Sequence, residues 1–132
     1  MDIKEFCRKL DRLLDSRDLR GEGLDMALKA ICQGLAINPG EVAILLAHDD
    51  SETLHFLWPR ELQTSGTIPT SSKESLAAKT FRTVEGSINN RFSAIRHASV
   101  FEILPLKEQQ GKALPIQKII SVPLRKQESC LG

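Results

Sequence analysis

Apolar residues recur along this chain first with a helical period and then with a strand period. In residues 3–14 they stand at Ile3, Phe6, Cys7, Leu10, Leu13 and Leu14. That is one stripe of a 3.6-residue repeat, with charged residues on the other side. The subset Ile3, Phe6, Leu10 and Leu13 has a/d spacing for less than two heptads, too short to establish a coiled coil. The helix is read either as a cover for the domain's own sheet or as a dimer helix. Asp, Gly and charge break the pattern at Arg17–Gly23. A second helix is predicted from about Leu24 to Ile37, with Leu24, Leu28, Ile31 and Leu35 on one face and Ala27 beside them. Asn38-Pro39-Gly40 is expected to end it, because proline disfavours helix in the residue before it.

The period then shortens. Glu41–His48, EVAILLAH, is a nearly continuous apolar run bounded by turn signals, which reads as a strand buried on both faces. After the polar turn Asp49-Asp50-Ser51-Glu52, residues Thr53–Trp58 alternate. Leu54, Phe56 and Trp58 fall on one face, His55 and Leu57 on the other, so an antiparallel hairpin is predicted, ended by Pro59. Residues 60–70 read as a loop with a short strand at Thr67–Pro69. Ser71-Ser72-Lys73-Glu74 offers a capping box for a helix whose inner face is Leu76, Ala77, Thr80, Phe81 and Val84, with Gly86 as terminator. The stretch after Gly86 is long and irregular, with a short helix possible at Ala94–Phe101. Long connections inside compact domains are often functional. Ile116–Leu124 is the last clear strand. A charged turn and a started strand, Cys130-Leu131-Gly132, follow it. This order of elements suits an α+β fold, an antiparallel sheet with helices on its faces.

Composition narrows the function classes. The chain has 132 residues, 41% of them hydrophobic, which is one domain's length with enough apolar material for a core. With 18 basic and 17 acidic residues the net charge is +1. That balance argues against a nucleic-acid footprint and against a polybasic membrane anchor. Cys7, Cys32 and Cys130 are far apart and odd in number, with no CxxC pair, and are read as free thiols in a reducing cytoplasm. The N-terminus is charged and lacks an apolar signal core. The longest apolar run, Val42–Ala47, is too short to span a bilayer. A cytoplasmic protein without nucleic-acid or membrane partners is expected.

No catalytic constellation is visible. The three histidines, His48, His55 and His97, form neither H-x-x-x-H nor H-E-x-x-H, so no metal site is expected. His48 and His55 flank the predicted hairpin turn, which can bring them near one another. They are read as solvated or satisfied in the core rather than as ligands. No G-x-S-x-G elbow, P-loop or G-x-G-x-x-G cradle occurs. Asp49 and Asp50 are explained by an exposed turn, and Cys32 by a buried small hydrophobe.

Several segments together carry a family resemblance. They are the amphipathic helix Leu24–Leu35 leading into VAILLA, the strand LHFLWP, the serine-started helix of SSKESLAAKTFRTVEGSINN, and IISVPL followed by polar residues and Leu131-Gly132. In this order they resemble the GAF domain, a small-molecule sensing module related in fold to PAS. The resemblance covers nearly the whole chain and implies a GAF-like antiparallel sheet with helices packed on it. The family's last strand and C-terminal helix are missing beyond Gly132, so the domain is expected to be truncated there, with an exposed or partner-covered sheet edge.

The resemblance places a ligand between the sheet and the crossover segment. Arg91, Phe92, Arg96, His97 and Phe101 are the crossover candidates, and Trp58, at a strand end, is read as a core residue or a ligand platform. The arginines suit a carboxylate or phosphate by forked hydrogen bonds, and the phenylalanines suit a ring. Solvated arginines and core phenylalanines are the alternative reading. Asn89-Asn90-Arg91-Phe92 matches only the start of the family's cyclic-nucleotide signature, with no Asp-Glu pair following. Arg96-His97 has no cysteine before it for a bilin. No cofactor is therefore expected. The resemblance implies a non-catalytic regulatory domain that binds a small molecule or mediates homodimerisation, relaying to a signalling output domain or protein. The alternatives are a structural dimerisation module with no ligand and an enzyme of methionine-sulfoxide reductase type, for which no cysteine is well placed.

Overall fold

The computed structural model describes residues 2–15, 22–91 and 118–132. Among them the chain is α+β, with three α-helices and small antiparallel sheets. It forms two compact units, Met1–Val42 and Ala43–Gly132.

In the first unit, α1 (Ile3–Asp15) and α2 (Glu22–Leu35) lie against each other. Asp2 starts α1, its carboxylate accepting the Lys4 N–H at 2.9 Å as an N-cap side chain does. The helices meet where the Phe6 ring lies on Gly34, so closely that a β-carbon there would overlap the ring. The expected α1 stripe is therefore spent in part inside the chain. On α2 the buried residues are Gly23, Leu24, Ala27, Leu28, Ala30 and Cys32, a wider band than the single face predicted. Leu35, expected on that face, is exposed because it is the helix's last residue. Ala36 follows in the left-handed region (φ 53°), and the Ile37 N–H reaches back to the Cys32 carbonyl at 3.0 Å. This is the closing bond of a Schellman motif, so α2 stops before the proline signal. Pro39–Glu41 instead forms a 3-10 turn, with the Glu41 carboxylate accepting the Asn38 N–H at 2.8 Å.

The second unit holds a three-stranded sheet in the order β1 (Ile44–Ala47), β2 (Thr53–Trp58), β3 (Thr67–Pro69), all antiparallel. The pairs Leu45–Phe56, Ala47–Leu54 and Leu54–Ile68 share one face. Leu54 and Phe56 are buried there, and Leu62 and Ala78 are buried in the same unit. The apolar run Glu41–His48 yields only four strand residues, each half-buried. Glu41 is taken by the 3-10 turn, so β1 is not the fully buried strand its composition suggests.

Helix α3 (Leu76–Thr83) starts at Ser75, whose hydroxyl accepts the Ala78 N–H at 3.2 Å. The expected capping box at Ser71 does not form. Arg82 donates to the carbonyls of Thr70 and Ser72, which keeps the Ser72 carbonyl out of a helical ladder. The helix ends at Val84, left-handed at φ 54°, its N–H bonded to the Thr80 carbonyl. Gly86 lies beyond that stop. Strand β4 (Ser87–Asn89), which no periodicity announced, pairs antiparallel with β5 (Ile119–Ser121). The predicted strand over Ile116–Leu124 is thus three residues long within its described part. The helix expected at Ala94–Phe101 lies outside the described residues.

The charged turn after Val-Pro-Leu is a hairpin, as expected. Its arms are β6 (Arg125–Lys126) and β7 (Ser129–Cys130), and Gln127 turns at φ 56°. The chain then runs between two partners. The Leu131 N–H donates to the Leu124 carbonyl at 2.7 Å, the Leu124 N–H to the Gly132 carbonyl at 2.9 Å, and the Ala47 N–H to the Leu131 carbonyl at 2.8 Å. The started strand thus pairs beside residue 124, as expected. It also meets the edge of β1 away from β2. Gly132 sits against the Leu45 carbonyl with no room for a side chain.

Candidate functional site

Two places in the second unit gather chemistry. The first is the neck of the crossover. Residues 90–118 leave from β4 and return into β5, and the last rung of that ribbon is Asn89 opposite Ile119. The Asn89 carboxamide oxygen accepts the Arg91 N–H at 2.8 Å, an Asx turn that sets the direction in which the chain leaves the ribbon. Arg91 is exposed at that mouth. A part-buried bond fixes the ribbon's other strand: Thr80 Oγ1 of α3 and Ser121 Oγ of β5 are 2.8 Å apart. Ile88 and Ile120, opposite one another on the ribbon, are 71% and 70% exposed.

Of the residues proposed for a ligand site, Trp58 is half-buried at the end of β2, opposite Ile44 beside a register shift. Arg91 lies two residues past β4, at the end of the separate β4–β5 ribbon, so these two are placed by different sheets. Phe92, Arg96, His97 and Phe101 lie outside the described residues.

The second place is a histidine pair. His55 on β2 stands opposite Leu46 of β1 and Thr67 of β3, on the face away from Leu54 and Phe56. His48 follows β1, and its N–H donates to the Thr53 carbonyl at 3.0 Å. This continues the same register and sets His48 diagonal to His55. The ring centroids are 4.3 Å apart, tilted by 33°. Nδ1 of His55 is buried with no hydrogen-bond partner. Burial first, and the His48 charge second, push the His55 pKa below the ordinary histidine value, since both disfavour the imidazolium. Sequence alone placed these histidines at the two ends of a hairpin turn. It also allowed them to lie near one another; the register adds that they are diagonal neighbours on one face.

The sign of the His55 shift gives a testable pH dependence. The unfolded chain binds this proton more readily than the folded one, so acidification through the ordinary histidine range, about pH 6.5, removes stability. The contribution is fully present above that range. Urea midpoints are expected to fall between pH 7.5 and pH 5.5 in the wild type, and to fall less in His55→Phe. Equal slopes in the two proteins would contradict the assignment.

Cys32 is buried, and burial together with the Glu41 carboxylate raises its pKa. At neutral pH it is a protonated thiol, the unreactive form. Cys7 is exposed and Cys130 half-buried. Among the described residues there is no group of three or more His, Cys, Asp or Glu side chains placed to hold a metal ion, and no helix long and apolar enough to cross a membrane. No family model, curated protein or solved structure matches the chain.

Proposed function

We propose that this is a non-catalytic regulatory domain of GAF-like type, in which the crossover of residues 90–118 receives a small molecule carrying a carboxylate or phosphate. The observation that supports the reading is the neck. A long segment is rooted at both ends on one ribbon, Asn89 opposite Ile119, and the ribbon is bonded to α3 through Ser121 and Thr80. Long connections between paired strands are often functional. A ligand that favours one arrangement of the crossover acts on the ribbon and α3 through those same bonds. Arg91, exposed at the mouth, is the proposed anchor for the anionic group; the other candidates of the same segment, Phe92, Arg96, His97 and Phe101, lie outside the described residues. Trp58, on the three-stranded sheet, is the remaining candidate.

Dimerisation through α1 is the weaker form of the same proposal, because Phe6 already packs on Gly34 within the chain. The buried Cys32 thiol, its pKa raised, is itself a poor nucleophile for thiol-based reductase chemistry.

The test is thermal stabilisation by a panel of anionic ring compounds, such as nucleoside monophosphates and aromatic carboxylates. At about 100 times its Kd a ligand adds ~2.7 kcal/mol, a rise of several degrees in Tm for a chain of this size. The rise is expected in the wild type and is expected to shrink sharply in Arg91→Ala and Arg96→Ala. Ligand-induced shifts of equal size in all three proteins would refute the anchor, and no shift across the panel would refute the ligand reading.

A further inference from the structure

We infer that His48 and His55 form a two-imidazole chelate for a divalent transition metal ion, with Cu2+ and Ni2+ fitting best. This site is independent of the crossover reading, since it lies on the three-stranded sheet. The sheet register makes the two residues diagonal neighbours on one face, and their ring centroids stand 4.3 Å apart. Backbone bonds on both sides hold that spacing. The His48 N–H is tied to the Thr53 carbonyl at 3.0 Å, and His55 is paired in the middle of β2 between β1 and β3. A neutral imidazole carries one bare nitrogen, the usual ligand to such ions.

The spacing selects the ion. With metal–nitrogen bonds of about 2.0–2.1 Å, a tetrahedral angle at the metal would set the two rings roughly an ångström further apart than they stand here. The narrower cis angle of a square-planar or octahedral centre suits rings at this separation, and that geometry with nitrogen ligands belongs to Cu2+ and Ni2+. The described residues supply no third protein ligand, so water or an added ligand completes the shell. The histidine pair also has an unmet need. Nδ1 of His55 is buried without a partner, a state that costs free energy. A metal bound at that nitrogen would satisfy it.

The chain's one tryptophan, Trp58, lies three residues along β2 from His55, about 10 Å at strand rise. That is within reach of quenching by bound Cu2+. The experiment is titration of the full chain with Cu2+ alone, followed by Trp58 fluorescence and by the nitrogen splitting in the electron paramagnetic resonance spectrum. Titration with Ni2+ alone, followed by calorimetry, accompanies it.

One ion per chain and two equivalent-type nitrogens are expected. His48→Ala changes an exposed residue and keeps the fold. It is expected to weaken binding by about a hundredfold or more, because loss of one ligand ends the intramolecular gain of the second. His55→Gln is expected to do the same, with its circular dichroism checked against the wild type. Wild-type affinity in His48→Ala, or a spectrum with fewer than two histidine nitrogens, would overturn the site.

Discussion

Truncating Leu54 to alanine is expected to cost about 2–5 kcal/mol of folding stability, toward the upper end of that range. Leu54 is 1% exposed and sits on the central strand, paired with Ala47 on one side and Ile68 on the other. Both neighbours are held by sheet hydrogen bonds, so the backbone cannot close on the hole, and a cavity that persists is what makes such changes expensive. Against a typical domain stability of about 5–15 kcal/mol this is a large fraction. The urea midpoint should drop with the m-value unchanged, read by Trp58 fluorescence. Leu35→Ala, at a site 55% exposed, is the comparison and should stay within about 0.5 kcal/mol. A Leu54→Ala protein within that same margin would mean that the core of the second unit is not centred on this face of β2.

The elements that could be read from sequence were those whose own side chains decide them. Thr53–Trp58 alternates cleanly, and the structure places β2 on those residues. The α1 stripe and the short strand at Thr67–Pro69 were equally visible. The errors fall where two local signals compete and a distant group chooses. Ser71 and Ser75 both suit an N-cap. Arg82, in the last turn of α3, bonds the carbonyls of Thr70 and Ser72 and so leaves the cap to Ser75. Gly86 looked like the natural stop, yet Val84 takes the left-handed residue, because the stop is set by the bond to Thr80 rather than by which nearby residue pays least for positive φ. Strand β4, Ser-Ile-Asn, has no period to detect in three residues. It exists because β5 pairs with it from far along the chain.

The same division holds for the candidate sites. Arg91 was legible as a charged residue in a long connection, but its position just past the rung Asn89–Ile119 is a property of strand pairing. His48 and His55 were legible as a pair flanking a turn. Their diagonal placement on one face follows from register, in which residues whose numbers sum to 101 face each other from Leu45–Phe56 to Ala47–Leu54. A one-residue slip would put the two rings on opposite faces.

The Thr80–Ser121 bond should be the strongest lever on the ribbon that roots the crossover. Thr80 is 5% exposed and its hydroxyl lies 2.8 Å from that of Ser121, joining α3 to β5. Ser121→Ala leaves the Thr80 hydroxyl buried and unpaired, and Thr80→Val leaves Ser121 unpaired at a half-buried site. Each is expected to cost about 1–3 kcal/mol, the first more than the second. Replacing both removes the need along with the partner, so the double variant should be more stable than the sum of the singles predicts. The shortfall from additivity should be about 0.5 kcal/mol or more. Additive singles would show that the two hydroxyls are satisfied separately. In that case α3 would not hold β5, and a ligand in the crossover would have no direct hydrogen-bonded route from the ribbon to the helix.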